Sequence, residues 1–234
     1  MITVGDVMNM RAFDSIWLAT PCDGAAAREV TGVGTLDHEP FTGGYEVFTQ
    51  GEFVFTTLGF AGVHPDLAEE ALLALIDCGV AAVAVKPVVL KELPPTVVQA
   101  SAARGVPVFF YEGRYMERVI ADLMNLLDDD AAEWERNHLI DLILAPSDEH
   151  AVRSTFFTIA GVTGATIQCL AIRPVTDDGA SLRALQKVVE GVLADYGERW
   201  DDVERTFVCR YREMLLGFVS FKRPPLKAIA ISDA

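Results

Sequence analysis

Two threonines, Thr56 and Thr57, close a short apolar run at Phe53–Thr57 and are followed at once by Gly59 and Phe60. Hydroxyls at a strand end can hydrogen-bond a ligand, and a nearby glycine lets backbone come close to it. The same hydroxyls can equally do no more than cap and satisfy the strand end. Lys86 follows a second apolar run, Val80–Val85, and Tyr111-Glu112 follow a third, Val106–Phe110. If the three runs are parallel strands joined by helices, their carboxyl ends meet on one rim. That rim would present Thr56, Thr57, Gly59, Phe60, Lys86, Tyr111 and Glu112. Hydroxyls, a cation, a carboxylate and aromatics together suit a small, flat, polar molecule. Thr57 would make one hydrogen bond and Lys86 would attract a negative group. The competing reading has Lys86 simply ending its strand in solvent.

Other chemistry is sparse. There is no Gly-x-Ser-x-Gly elbow, P-loop or zincin helix, so no catalytic residue is assigned. His38, His64, His138 and His150 make no close pair on a helix, and a metal site from them would need the fold to gather them. No metal or cofactor is expected. Asp128, Asp129, Asp130, Glu133 and Glu135 read as a solvated acidic helix start or a divalent-cation site. Phe41, Tyr45, Phe48, Phe53, Phe55 and Phe60 are either core or an aromatic lining for a flat ligand. Cys22, Cys78, Cys169 and Cys209 lie far apart beside apolar segments, which points to buried thiols in a reducing cytoplasm.

The elements that must position the rim follow from periodicity. Phe53–Thr57 is too short for a helix and is bounded by Gly51 and Gly59, hence a buried strand. Leu67, Ala71, Ala74, Leu75 and Cys78 have helical spacing over Pro65–Cys78, and Gly79 ends that helix. Pro94–Ala103 is a helix ended by Gly105. Residues 51–110 therefore read strand, helix, strand, helix, strand, a right-handed parallel arrangement. Upstream, Thr3 caps a short helix carrying Val7 and Met8, Ser15–Ala19 and Glu29–Leu36 are strands, and Asp37–Gly44 is a loop. Downstream, Tyr115–Leu127 is a third helix. The first domain, 1–127, is placed before the acidic run Asp128–Asp130.

The second domain, 131–234, begins with a helix at Ala131–Ala145 stopped by Pro146. Ser147 caps the next helix, which runs to about Ala160. Ala165–Arg173 is a strand, Asp177-Asp178-Gly179 a turn, and Ser181–Tyr196 an amphipathic helix ended by Gly197. Val203–Tyr211 and Met214–Phe221 form a hairpin before Arg223-Pro224-Pro225 breaks the pattern. This domain reads as α+β with a half-covered sheet, so the natural protein is expected to continue. The expected class is thus α/β, a mostly parallel N-terminal sheet with flanking helices, followed by a smaller α+β domain.

A chain of 234 residues that is 51% hydrophobic can bury one large or two small cores. Its net charge of −15 argues against holding a polyanion, because nucleic-acid affinity comes chiefly from Lys and Arg on phosphates. Asp77 and Lys86 interrupt the most apolar region, Ala71–Leu90, and the N-terminus has no signal-peptide pattern, so no membrane association is expected.

Several stretches in order resemble one known family. Ile2-Thr3-Val4-Gly5-Asp6-Val7, then Gly51-Glu52-Phe53-Val54-Phe55-Thr56-Thr57, then Cys78-Gly79-Val80-Ala81-Ala82-Val83, then Leu93-Pro94 to Gly105-Val106-Pro107-Val108 resemble the N-terminal sensor domain of PucR-type bacterial transcription regulators, named for purine catabolism. The family usually has two glycines before the glutamate, where this chain has Thr49-Gln50-Gly51. Residues 131–221 resemble the start of that family's middle domain, which is similar in shape to diguanylate cyclase (GGDEF) domains, but the Gly-Gly-Asp-Glu-Phe motif is absent. The resemblance implies a non-catalytic, cytoplasmic, ligand-sensing and dimerising region. Its effector would be a small molecule, by analogy a purine-pathway metabolite. DNA would be reached only through a helix-turn-helix that these residues do not include. Two other readings stay open: the substrate-binding domain of a metabolic ligase- or kinase-like enzyme, and an interaction scaffold using the apolar helix at Leu139–Leu144.

Overall fold

The computed structural model describes residues 1–113, 115–145, 148–173 and 182–223. The chain divides into two units, Met1–Ala131 and a second beginning at Ala132.

The first unit opens with β1 (Ile2–Thr3) and α1 (Val4–Met8), where Thr3 and Asp6 form a reciprocal capping box. Then come β2 (Phe13–Leu18), β3 (Glu29–Val30), β4 (Gly32–Thr35), a short α2 (Glu39–Thr42), β5 (Glu52–Thr56) and α3 (Pro65–Cys78). The unit continues with β6 (Ala82–Val85), α4 (Pro95–Arg104), β7 (Val108–Gly113) and the start of α5 (Met116–Leu144). The five-stranded sheet has the order β2-β7-β6-β5-β4. Strands β4 to β7 run parallel, and β2 runs antiparallel to β7 at the edge.

Both faces of this sheet are covered, which is why its strands read as continuous apolar runs. Val54, Val83, Val85, Val108 and Phe110 pack with Leu72, Leu75 and Ile76 of α3 and Val97 of α4. On the other face Phe53, Phe55, Ala82, Ala84, Phe109 and Tyr111 pack with α1 and with Val119 and Leu123 of α5. The alanines of β6 leave room for rings arriving from both neighbouring strands. Phe53 and Phe109 stack at 6.4 Å across that central strand. Phe53, Phe55 and Phe48 of the aromatic-rich stretch are therefore core.

Several boundaries differ from those read in the sequence. Glu29–Leu36 is two strands: β3 pairs with β1, and β4 joins the main sheet. The break falls at Thr31, whose N–H donates to the Gly51 carbonyl at 2.9 Å. Gly51 has φ +90°, and a Cβ there would collide with the Thr31 hydroxyl. The expected loop at Asp37–Gly44 contains α2. The two helices expected around Asp128–Asp130 are one helix of 29 residues. No glycine or proline interrupts it, and solvent-facing aspartates cost a helix interior too little to end it. Asp130 also accepts from the Met1 amine at 2.5 Å.

In the second unit α5 ends at Leu144, and α6 (Glu149–Ala160) follows. The cap of α6 is Asp148, which accepts from the Ala151 N–H at 2.8 Å. Ser147, expected to be that cap, lies outside the described residues with Pro146. Next are β8 (Thr166–Ile172), α7 (Leu182–Arg199), β9 (Val203–Tyr211) and β10 (Met214–Phe221), the last two being the expected hairpin. The Asp177-Asp178-Gly179 turn, Ser181 and the Pro224-Pro225 break also lie outside the described residues. The antiparallel sheet has the order β8-β10-β9.

This sheet is not half-covered. Ile140 and Phe156, from α5 and α6, pack on Cys209, Tyr211, Leu216 and Phe218 of one face. Leu193, Leu185 and Val189 of α7 pack on Val208, Leu215 and Val219 of the other. Gly197 does not end α7, which runs on to Arg199. The four cysteines are free. Cys209 is buried and its thiol is pushed up to about 12 by burial, whereas Cys169 is exposed on β8.

Candidate functional site

The chain leaves β5 and β6 into α3 and α4, which cover one face of the sheet. It leaves β7 into α5, which covers the other. At the carboxyl ends of β6 and β7 the connections thus diverge to opposite faces. A crevice opens where neighbouring parallel strands do this, and ligands of open α/β sheets collect there. Lys86 stands at the end of β6, and Glu112 and Gly113 at the end of β7. The Lys86 ammonium, half-buried, donates to the Gly113 carbonyl at 3.3 Å and so links the two strand ends.

Gly113 is required by its surroundings. Its φ is +132°, and a Cβ would lie 2.8 Å from the Asp14 backbone nitrogen. Opposite it, the β2–β7 register slips between Phe13 and Ser15, making Asp14 a bulge residue. Bulges re-aim side chains and are frequent beside sites. Ser15 donates to the Glu112 carboxylate at 3.4 Å. Asp14 and Ser15 were not legible as rim residues in the sequence. They arrive because an antiparallel edge strand starts where its parallel neighbours end, and no motif announces that pairing.

The remaining expected residues separate into two groups. Thr56 is buried, and its hydroxyl donates to the Leu36 carbonyl and accepts from the Leu58 N–H, both at 3.0 Å. It holds the strand end, as the structural alternative had it. These bonds fix Leu58, a fully buried residue at φ +49°. Thr57 and Phe60 are half-buried on the turn that follows, and Gly59 is exposed. Tyr111 does not stand on the rim. β7 continues to Gly113, three residues past the expected end, so Tyr111 falls inside the strand. Alternation turns it into the core against Phe13 and Phe55. Its hydroxyl is buried without a hydrogen-bond partner, and burial, with Glu117 nearby, pushes its pKa up to about 12.

Beyond β4 and β5 the fold gathers His38, Phe41, Phe60 and His64. Phe41 lies 5.5 Å from His38, 6.0 Å from Phe60 and 5.8 Å from His64 between ring centroids. Phe41 is 51% exposed, so this aromatic group forms a surface beside the rim. The two histidines each pack against the Phe41 ring. Even so, no group of three or more His, Cys, Asp or Glu suited to a metal occurs among the described residues.

The rim therefore offers an ammonium, two carboxylates, hydroxyls at Thr57 and Ser15, and an aromatic flank. That set can bind and orient a small polar molecule. The class it defines is a three-layer α/β unit whose rim residues stand at the carboxyl ends of its parallel strands. No known family matches the chain, and neither a curated protein nor a solved structure is similar to it. Among the described residues no helix is long and apolar enough to cross a membrane.

Proposed function

We propose that the chain is the ligand-sensing and self-associating region of a PucR-like bacterial transcription regulator, acting in the cytoplasm without catalysis. In this reading the first unit takes a small, flat, polar effector in the crevice between β6 and β7. Purine-pathway metabolites are the compounds to try first. The effector would biase the association of two copies rather than be transformed. DNA contact would come from a helix-turn-helix outside these 234 residues.

The observation that carries the reading is the divergence of α4 and α5 at adjacent strand ends, with Lys86 bridging to Gly113 across the gap. The ordered resemblance over the first 127 residues supplies the regulatory context. The test is a thermal-shift screen of metabolites, since a compound that binds only the folded state raises its melting temperature. Thr57→Val keeps the side-chain shape and removes the hydroxyl, and Lys86→Met removes the charge. The expected outcome is a weaker shift in both variants, by roughly tenfold in Kd where a charge-assisted bond is lost. A ligand that binds both variants as it binds the parent would place the site elsewhere.

A further inference from the structure

We infer that the second unit carries a separate site for a small organic anion with an apolar body, in the cleft between α6 and the loop that leads into β8. This does not rest on the effector reading of the first unit.

His150, Arg153, Ser154 and Phe157 follow one another at helical spacing and share one face of α6. That is not the face that builds the core, since Val152, Phe156, Ile159 and Ala160 do so or lie beside it. The second face borders a cleft of about 320 Å³, whose other wall is Val162, Thr163, Gly164 and Ile167. The volume is at the lower end of small-molecule sites. Phe157 is 59% exposed here, and with Val162 and Ile167 it makes an apolar wall.

The loop is held in place by more than its own backbone. The Glu204 carboxylate accepts from the Thr163 N–H at 3.3 Å, the Thr163 hydroxyl at 2.5 Å and the Ser220 hydroxyl at 2.6 Å. Ser220, fully buried, accepts from the Gly164 N–H at 3.1 Å. These bonds hold the Glu204 carboxyl below its ordinary range, Ser220 contributing most. No side chain fits at Gly164, where a Cβ would strike the Ser220 hydroxyl and the Phe221 carbonyl. Arg153 closes the wall, donating to the Gly164 carbonyl at 3.1 Å and the Ala165 carbonyl at 3.2 Å. An exposed loop fixed to this degree is preorganised, which lowers the ordering cost of binding.

The donors on the lining favour an anion, with the Glu149 and Glu204 carboxylates bonded to Arg153 and Thr163 behind it. The lining holds an arginine and a histidine and no carboxylate, in a chain of net charge −15. Glu149 pairs with Arg153 Nε at 3.0 Å, and two guanidinium N–H groups remain beyond the three bonds named. Those donors, with His150 and the Ser154 hydroxyl, suit a carboxylate or phosphate, and Phe157 suits the apolar part that carries it.

Benzoate, phenyl phosphate, inorganic phosphate and benzylamine, each titrated into the full chain and followed by amide NMR, test this. Benzoate or phenyl phosphate is expected to shift the Ser154, Thr163 and Gly164 amides, and whichever binds tighter distinguishes a carboxylate site from a phosphate site. Inorganic phosphate should bind more weakly because it lacks the apolar body, and benzylamine should leave the amides unmoved. Phe157→Ala and His150→Gln lie on exposed side chains, and each should weaken the anion by about fivefold or more. The inference fails if neither aromatic anion moves those amides, if benzylamine binds as well as they do, or if both variants bind like the parent.

Discussion

At Thr56 one hydroxyl serves two buried backbone groups, the Leu36 carbonyl and the Leu58 N–H. Valine at this position would leave both without that partner in a site water does not reach. An unsatisfied buried polar group costs about 1–3 kcal/mol, so Thr56→Val is expected to destabilise the first unit by about that amount. Thr57, one residue on and half-buried, lies outside this pair of bonds. Thr57→Val is expected to stay within about 0.5 kcal/mol of the parent. Urea unfolding of the two variants checks the contrast, and equal losses would show that the two hydroxyls are not divided between fold and rim in this way. The same separation of roles covers Tyr111 and Glu112. One residue of offset along β7 sends the phenol into the core and leaves the carboxylate exposed beside Ser15.

Helix α5 is the element whose extent changed most between sequence and structure. Its apolar positions alone do not locate its burial, because they continue after the helix has left the first core. Val119 and Leu123 are fully buried against the β5 and β7 rings, whereas Met124, the next residue, is 51% exposed. Leu123→Ala is therefore expected to cost about 2–5 kcal/mol through lost burial and the cavity left behind. Met124→Ala is expected to cost less than about 0.5 kcal/mol. Thermal or chemical unfolding measures both, and similar losses would mean that the helix is rotated relative to this packing.

At the scale of the whole molecule the prominent property is a strong negative charge on a chain with two separately cored units. Within α5, Ile140 is buried in the second unit's core, but Leu142 is 48% and Leu144 67% exposed. Trp134 is exposed on the same helix, its ring stacked on His138 at 5.8 Å. Large apolar side chains left at a surface are what association between copies would cover. The proposed self-association predicts a concentration-dependent dimer in sedimentation, weakened by Leu142→Glu together with Leu144→Glu. A chain that stays monomeric at high concentration would remove association from the proposal. Repulsion between acidic chains opposes the dimer, so raised salt is expected to strengthen it.

The sequence by itself determined the elements whose signals are local. α3 is legible from Pro65, helical spacing and Gly79; the β9–β10 hairpin from two β-rich runs around Arg212-Glu213; and the parallel order of β5, β6 and β7 from their joining helices. Periodicity, glycine stops and crossover handedness each act within a few residues or a single connection. Only the tertiary structure decided what depends on partners far along the chain. It split Glu29–Leu36 between two sheets, joined α5 across three aspartates, and covered both faces of the second sheet. It set the Lys86–Gly113 contact and the Asp14 bulge, which come from strands 27 and about 100 residues apart. The reason is the same at each place. A side chain's face follows from the register of its strand, and register is settled by neighbours that the local sequence does not contain.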